Sequence, residues 1–153
     1  MKKLIALALC LTMIFALSAC SKGGNEGPDT QGEKLFVEFK NAIESSGDIN
    51  AAAEKVAAAS ELSCQVQDMT EGFFPGFSTD VTGFKTSVGI FPIIGSIPFV
   101  CYIFEAENPD TFSADLTETA DPRWNICTEA EETICRVVDN YVFFAMCPGE
   151  YAW

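Results

Sequence analysis

The sequence predicts an α+β domain: an N-terminal helical hairpin, then a largely antiparallel sheet with one further helix packed on it, in the order α-α-β-β-α-β-β. Three observations carry this. Leu35, Phe36, Phe39, Ala42 and Ile43 fall on one helical face. Thr86 to Phe104 is a charge-free stretch interrupted by Gly89, Pro92, Gly95 and Pro98. Tyr141–Met146 (YVFFAM) is an unbroken apolar run of strand length.

The first helix is expected over about 32–46. Thr30-Gln31-Gly32-Glu33 has the spacing of a capping box, in which hydroxyl and carboxylate satisfy free N–H groups of the first turn. Gly47 suits the left-handed position after the last turn. Asp48 or Asn50 can cap a second, alanine-rich helix reaching about Ser63, and the short link makes the pair an antiparallel hairpin. Its apolar side (Ile49, Ala52, Ala53, Val56, Ala59) is shallow and calls for close packing.

The chain then turns loop-like, repeating a glycine–phenylalanine pair at Gly72-Phe73, Gly76-Phe77 and Gly83-Phe84. The stretch 86–104 has the length of a membrane-spanning helix, but two prolines inside one short helix would each break its hydrogen bonding. Strands near Lys85–Phe91 and Ile97–Ala106, joined by a Pro-Ile-Ile-Gly turn, fit better. Asn108-Pro109-Asp110 opens a helix that Pro122 ends near Ala120, with Phe112 and Leu116 on one face. Between Asp121 and Thr128 lies an aperiodic loop. Thr128–Asn140 reads either as a short helix or as a strand entering a turn at Asp139-Asn140, and the hairpin is favoured. A two-residue turn there sets Cys135 opposite Phe144 and points Cys147 to the other face, which forbids a Cys135–Cys147 bridge. The helices are expected on one face of the sheet.

The amino-terminal segment has a separate logic. Lys2 and Lys3 precede an apolar, uncharged run from Leu4 to Leu17, closed by Ser18 and Ala19. This is the layout of a secretion signal, too short for a permanent span. Leu17-Ser18-Ala19-Cys20 resembles the lipobox of bacterial lipoprotein precursors. The resemblance covers only the first twenty residues. It implies cleavage before Cys20, a diacylglyceryl group on its sulfur, and a protein lipid-anchored to a bacterial membrane and facing outside the cytoplasm. The expected division is a signal over 1–19, a lipidated flexible tether over 20–31, and a single domain over 32–153. Ser21 to Gln31 has no large apolar residue to offset its conformational entropy.

Composition narrows function further. With Lys2 and Lys3 inside the signal, the rest of the chain sets seven bases against 22 acids, a net charge of −15. Such a chain does not bind nucleic acid electrostatically and is repelled by anionic lipid. There is no histidine, which removes the commonest general base and imidazole metal sites. No cofactor motif and no metal-ligand spacing stands out, so neither a cofactor nor a metal is expected, and an enzyme is disfavoured. Five cysteines follow Cys20, an odd number, so at least one escapes internal pairing. Cys101 is expected as a buried thiol. Cys127 with Cys64 or Cys147 is the bridge to look for.

Two stretches are candidate partner sites. Arg123-Trp124 sets a cation beside an indole in an irregular loop, a pairing enriched at interfaces. Its other reading is a Trp capping the core while Arg pairs with a nearby acid. Phe73-Phe74-Pro75-Gly76-Phe77 is either a recognition patch or a loop tucking aromatics inward. The functional expectation is a non-enzymatic, lipid-anchored module binding a protein or cell-envelope partner through Arg123, Trp124, Phe73, Phe74 and Phe77. The alternatives are a carboxylate-dependent hydrolase of envelope polymer, built from acids between Glu105 and Glu132, and an accessory lipoprotein of a membrane complex.

Overall fold

The computed structural model describes residues 30–149. The expected secretion signal, the expected lipidation site Cys20 and the expected tether up to residue 29, like the last four residues, lie outside the described residues. The element order is α1 (Gln31–Ser46), α2 (Ile49–Ala59), β1 (Cys64–Asp68), β2 (Thr86–Pro92), β3 (Val100–Glu105), α3 (Pro109–Thr119), β4 (Glu132–Val138) and β5 (Tyr141–Cys147). The five strands form one sheet in the order β1-β2-β3-β5-β4, and every pairing is antiparallel. The α+β class and the predicted elements are present, with one strand more than expected.

The helical hairpin forms much as its sequence dictates. Thr30 caps α1 by accepting from the Glu33 N–H at 3.3 Å, and Gly47 closes it at φ 64°. The capping box is only half made, because Glu33 turns outward to Arg136 at 2.7 Å. The helix begins at Gln31, which is already buried. Asp48 caps α2 through the N–H groups of Asn50 and Ala51. α2 stops at Ala59, short of Ser63. The Ser60 hydroxyl donates to the Ala57 carbonyl and accepts from the Leu62 N–H, and Glu61 reverses the chain at φ 59°.

The reversal frees residues 64–68 for the unexpected strand β1, which lines the sheet edge against β2. At the other edge, β4 and β5 pair with Cys135 opposite Phe144 and Glu132 opposite Cys147, the register the two-residue turn predicts. Cys135 and Cys147 belong to different faces.

Both faces are covered, which corrects the expectation of helices on one face alone. On the first, α1 and α2 pack Leu35, Phe39, Ala53 and Val56 onto Val88, Ile90, Cys101, Ile103 and Phe143. The Phe39 and Phe143 rings stack at 5.2 Å. On the second, α3 contributes Phe112 and Leu116, and the 69–84 loop contributes Phe74, Phe77 and Val81, onto Tyr102, Phe104, Phe144 and Met146. A helix offering two large apolar residues cannot cover that face alone, so the glycine–phenylalanine loop completes it. Gly76 sits at φ 96°, where a Cβ would meet the Met146 methyl at 2.5 Å. The Tyr102 hydroxyl donates to the Pro75 carbonyl at 2.7 Å and pins the loop.

The sheet ends differ in character. Gly32 N–H donates to the Glu132 carboxylate at 2.8 Å, and the Thr30 hydroxyl donates to the same group, so α1 starts beside the first residue of β4. The Tyr141 hydroxyl donates to the Gly47 carbonyl, so α1 finishes at the opposite end. The end where α1 starts also carries the β2–β3 connection and the 120–131 loop. The opposite end carries Asp48, Asp68, Glu105, Glu107 and Asp139.

Candidate partner-binding surface

At the end where α1 begins, two loops are joined into one surface. The β2–β3 connection runs from Ile93 to Phe99. Its Ile93 N–H donates to the Ser63 carbonyl, and its Ile97 N–H closes a turn on Ile94. The second loop starts with an Asx turn, Arg123 N–H on the Asp121 carboxylate at 2.9 Å, and Trp124 N–H then returns to the Asp121 carbonyl. Asn125 is the cross-piece. Its amide donates to the carbonyls of Gly95 at 3.0 Å and Ile97 at 3.4 Å, while its own carbonyl accepts from the Cys127 N–H. The Thr128 hydroxyl adds a bond to the Ser96 carbonyl.

This bracing leaves apolar side chains facing solvent. Ile93 is 71% exposed, Ile94 60% and Ile126 100%. Of five large hydrophobic side chains exposed among the described residues, three lie on these two mutually bonded loops. Shallow grooves lie alongside, about 450 Å³ around Arg123 to Glu129 and about 260 Å³ between Leu62, Pro92 and Ile94. Replacing Asn125 by Ala should cost about 0.5–1.5 kcal/mol, since it removes the donor that the carbonyls of Gly95 and Ile97 share, while solvent reaches Gly95 and the Phe99 N–H still serves Ile97. Hydrogen exchange would then quicken at Ile97 and Phe99, and unchanged exchange there would show that Asn125 does not hold the loops together.

The candidate residues are dispersed. Arg123 forms an ion pair with Glu129 at 2.8 Å, and Trp124 is half-buried against the second core cluster. That is the core-capping reading of the pair, with Arg123 left at the surface. Phe74 and Phe77 are buried, so neither can meet a partner from the surface; this corrects their place among binding residues. Phe73 alone of the three is exposed, at 73%. Ile93, Ile94 and Ile126 escaped the sequence reading, although two isoleucines inside a Pro-Ile-Ile-Gly turn were a visible signal.

The acids from Glu105 to Glu132 do not converge. Glu105 accepts from Asn140 and, with Glu107, lies 4.0 Å from Lys85, beside an open groove of about 450 Å³. Glu129 serves Arg123, and Glu132 lies at the other end of the sheet. Among the described residues, no three of His, Cys, Asp and Glu gather to hold a metal ion. All five thiols are free. Cys127 is exposed on the loop, Cys64 neighbours the Ser60 hydroxyl at 3.5 Å, and Cys147 donates to Glu132 at 3.4 Å, so the anticipated bridge through Cys127 is not formed. Burial pushes the Cys147 thiol up, and the adjacent Glu132 carboxylate pushes it further. Burial raises Cys101 well above the ordinary thiol value, with Cys147 and Cys64 adding to it. Protonated, enclosed thiols of this kind are structural rather than nucleophilic.

No helix among the described residues is long and apolar enough to cross a membrane. Comparison with known proteins found no matching family model, no matching curated protein and no matching solved structure.

Proposed function

We propose that the protein is a lipid-anchored, extracytoplasmic bacterial surface protein acting as a non-enzymatic binding module. Its working surface is the braced loop pair 93–99 and 121–130. The observation that carries this reading is the gathering of Ile93, Ile94 and Ile126 on loops that Asn125 and Thr128 hold in place. Exposed apolar patches of this sort mark interaction sites. The lipobox-like Leu17-Ser18-Ala19-Cys20 supports the anchor. The dispersal of the acids speaks against a hydrolase, which needs carboxyls paired across a cleft.

Two measurements test it. Mass spectrometry of the amino-terminal peptide from membranes should find Cys20 as first residue and lipidated, and Cys20→Ser should move the protein to the soluble fraction. The Cys20→Ser chain should also keep its unfolding temperature against glycans, cell-wall fragments, cations and small metabolites. A ligand at a hundred times its Kd would stabilise by about 2.7 kcal/mol, a shift on the order of ten degrees. Such a shift with a cation or small metabolite would make the protein a small-ligand receptor or enzyme and sink the binding-module reading, whereas one with a glycan or cell-wall fragment would identify a cell-envelope partner.

A further inference from the structure

We infer that the apolar loop end rests on the lipid bilayer itself, with Ile93, Ile94 and Ile126 entering the boundary between headgroups and acyl chains. The inference rests on the proposed lipid at Cys20 and names the partner of the same surface.

Three observations lead to it. The first is placement. Thr30 and Gly32 are bound to Glu132 at the start of β4, so the chain coming from Cys20 joins the domain at the end that carries the isoleucines. Nine residues, and so ten Cα–Cα steps, lie between Cys20 and Thr30. Fully stretched they reach about 35 Å, and as a coil on the order of 17 Å. The opposite end lies one length of α1 further away, about 24 Å for its 16 residues. A lipid at Cys20 therefore keeps this end within reach of the membrane at every length of the segment, and the other end only when the segment is close to full extension.

The second is charge. Residues 93–98 carry no ionisable group, nor do Trp124 to Thr128 except the Cys127 thiol, and Arg123 is neutralised by Glu129. The acids do not distinguish the two ends: Asp48, Asp68, Glu105, Glu107 and Asp139 stand at the far end with Lys85, and Glu61, Asp121, Glu129, Glu131 and Glu132 at the near end with Arg123. Glu61, Glu129 and Glu131 flank the loops, so a zwitterionic bilayer suits the surface better than an anionic one.

The third is composition at the boundary. Exposed Arg123 and half-buried Trp124 precede Ile126 on the same loop, a cation and an indole of the kinds that gather at membrane interfaces. Three isoleucines on loops would anchor a free protein poorly. Behind a tether they are held at high local concentration beside the bilayer, and a weak insertion becomes the populated state. The lipid supplies attachment and the loops supply orientation.

Cys127 offers the probe, because it is exposed on the second loop whereas the domain's other thiols are buried or half-buried. The mature protein, purified with its anchor, is labelled there with an environment-sensitive fluorophore and reconstituted into phosphatidylcholine vesicles. A blue shift is expected on adding vesicles, together with quenching by acyl-chain-brominated lipid. The Ile93→Asp/Ile94→Asp variant, altered only at exposed side chains, should lose both responses while still pelleting with the vesicles and unfolding at the parent temperature. A probe that stays water-like overturns the docking. If the protein pellets nonetheless, the anchor stands, and if it remains in the supernatant, both readings fall. A blue shift that requires concentrated protein but no lipid assigns the surface to a second copy and also overturns the docking.

Discussion

Phe74→Ala will cost the domain about 3–5 kcal/mol, whereas Phe73→Ala next to it will change stability by no more than about 0.5 kcal/mol. Phe74 is fully buried, with its ring 5.1 Å from Tyr102, 5.7 Å from Phe104 and 5.8 Å from Phe84. Removing it empties the centre of the second core. α3 cannot close the gap, because it brings only Phe112 and Leu116 to that face. Phe73 points to solvent. The two variants differ by one position and have the same chemistry, so denaturant midpoints compared at equal slope isolate burial. Equal losses would mean that the 69–84 loop does not cover the sheet as described.

Stability will also fall steeply above about pH 9. Cys101 and Cys147 are both inaccessible to solvent, and burial raises both thiols above their ordinary value of 9.0. Cys147 is raised further by Glu132, and Cys101 by its neighbours Cys147 and Cys64. Buried Tyr102 is raised above its ordinary 10.0 by burial first and by Cys101 second. The sign follows from which state releases protons first. Below pH 9 folded and unfolded chains both keep them, and the contribution is flat. Above it the unfolded chain ionises while the fold cannot, so each thiol removes about 1.4 kcal/mol per pH unit, and the pair about 2.7. Tyr102 adds to the slope from pH 10. Denaturant unfolding from pH 8 to 11, repeated with Cys101→Ala and Cys147→Ala, should show the slope decrease with each thiol removed. An alkaline limb indifferent to both substitutions would show that the thiols are not held protonated by the fold.

Helix α1 and strand β5 were legible because their signals are local and dense, five apolar residues at helical spacing in one and a long apolar run in the other, whereas β4 read also as a short helix and was favoured as a strand by the polar two-residue turn that follows it. Strand β1 was not legible. Cys64-Gln65-Val66-Gln67-Asp68 lies at a sheet edge, where one apolar alternation suffices, and two glutamines hide it among loop sequence. The end of α2 was misplaced because the helix stops at a serine that satisfies backbone groups itself, with no glycine or proline to announce it. The phenylalanine-rich loop could be read either way, since sequence reports what is apolar without reporting which face is left uncovered. Only the two-residue apolar face of α3 hinted that a second cover was required. The same limit applies to the isoleucine loops, whose meeting depends on Asn125 bonding to carbonyls about thirty residues away.

The clasp between the first turn of α1 and Glu132 has a consequence for how the molecule comes into being. It joins groups 100 and 102 residues apart in sequence, and the central strand β3 is flanked by β5, one of the last elements made. Contacts that close such long stretches form late and slowly, because chain entropy must be lost before they repay it. A chain delivered amino-terminus first thus has its helical hairpin early but nothing to seat half of it on, and completion waits for the carboxy-terminal hairpin. For a polypeptide that must thread a membrane before it folds, as the proposed export requires, delayed closure keeps the chain threadable until nearly all of it has crossed.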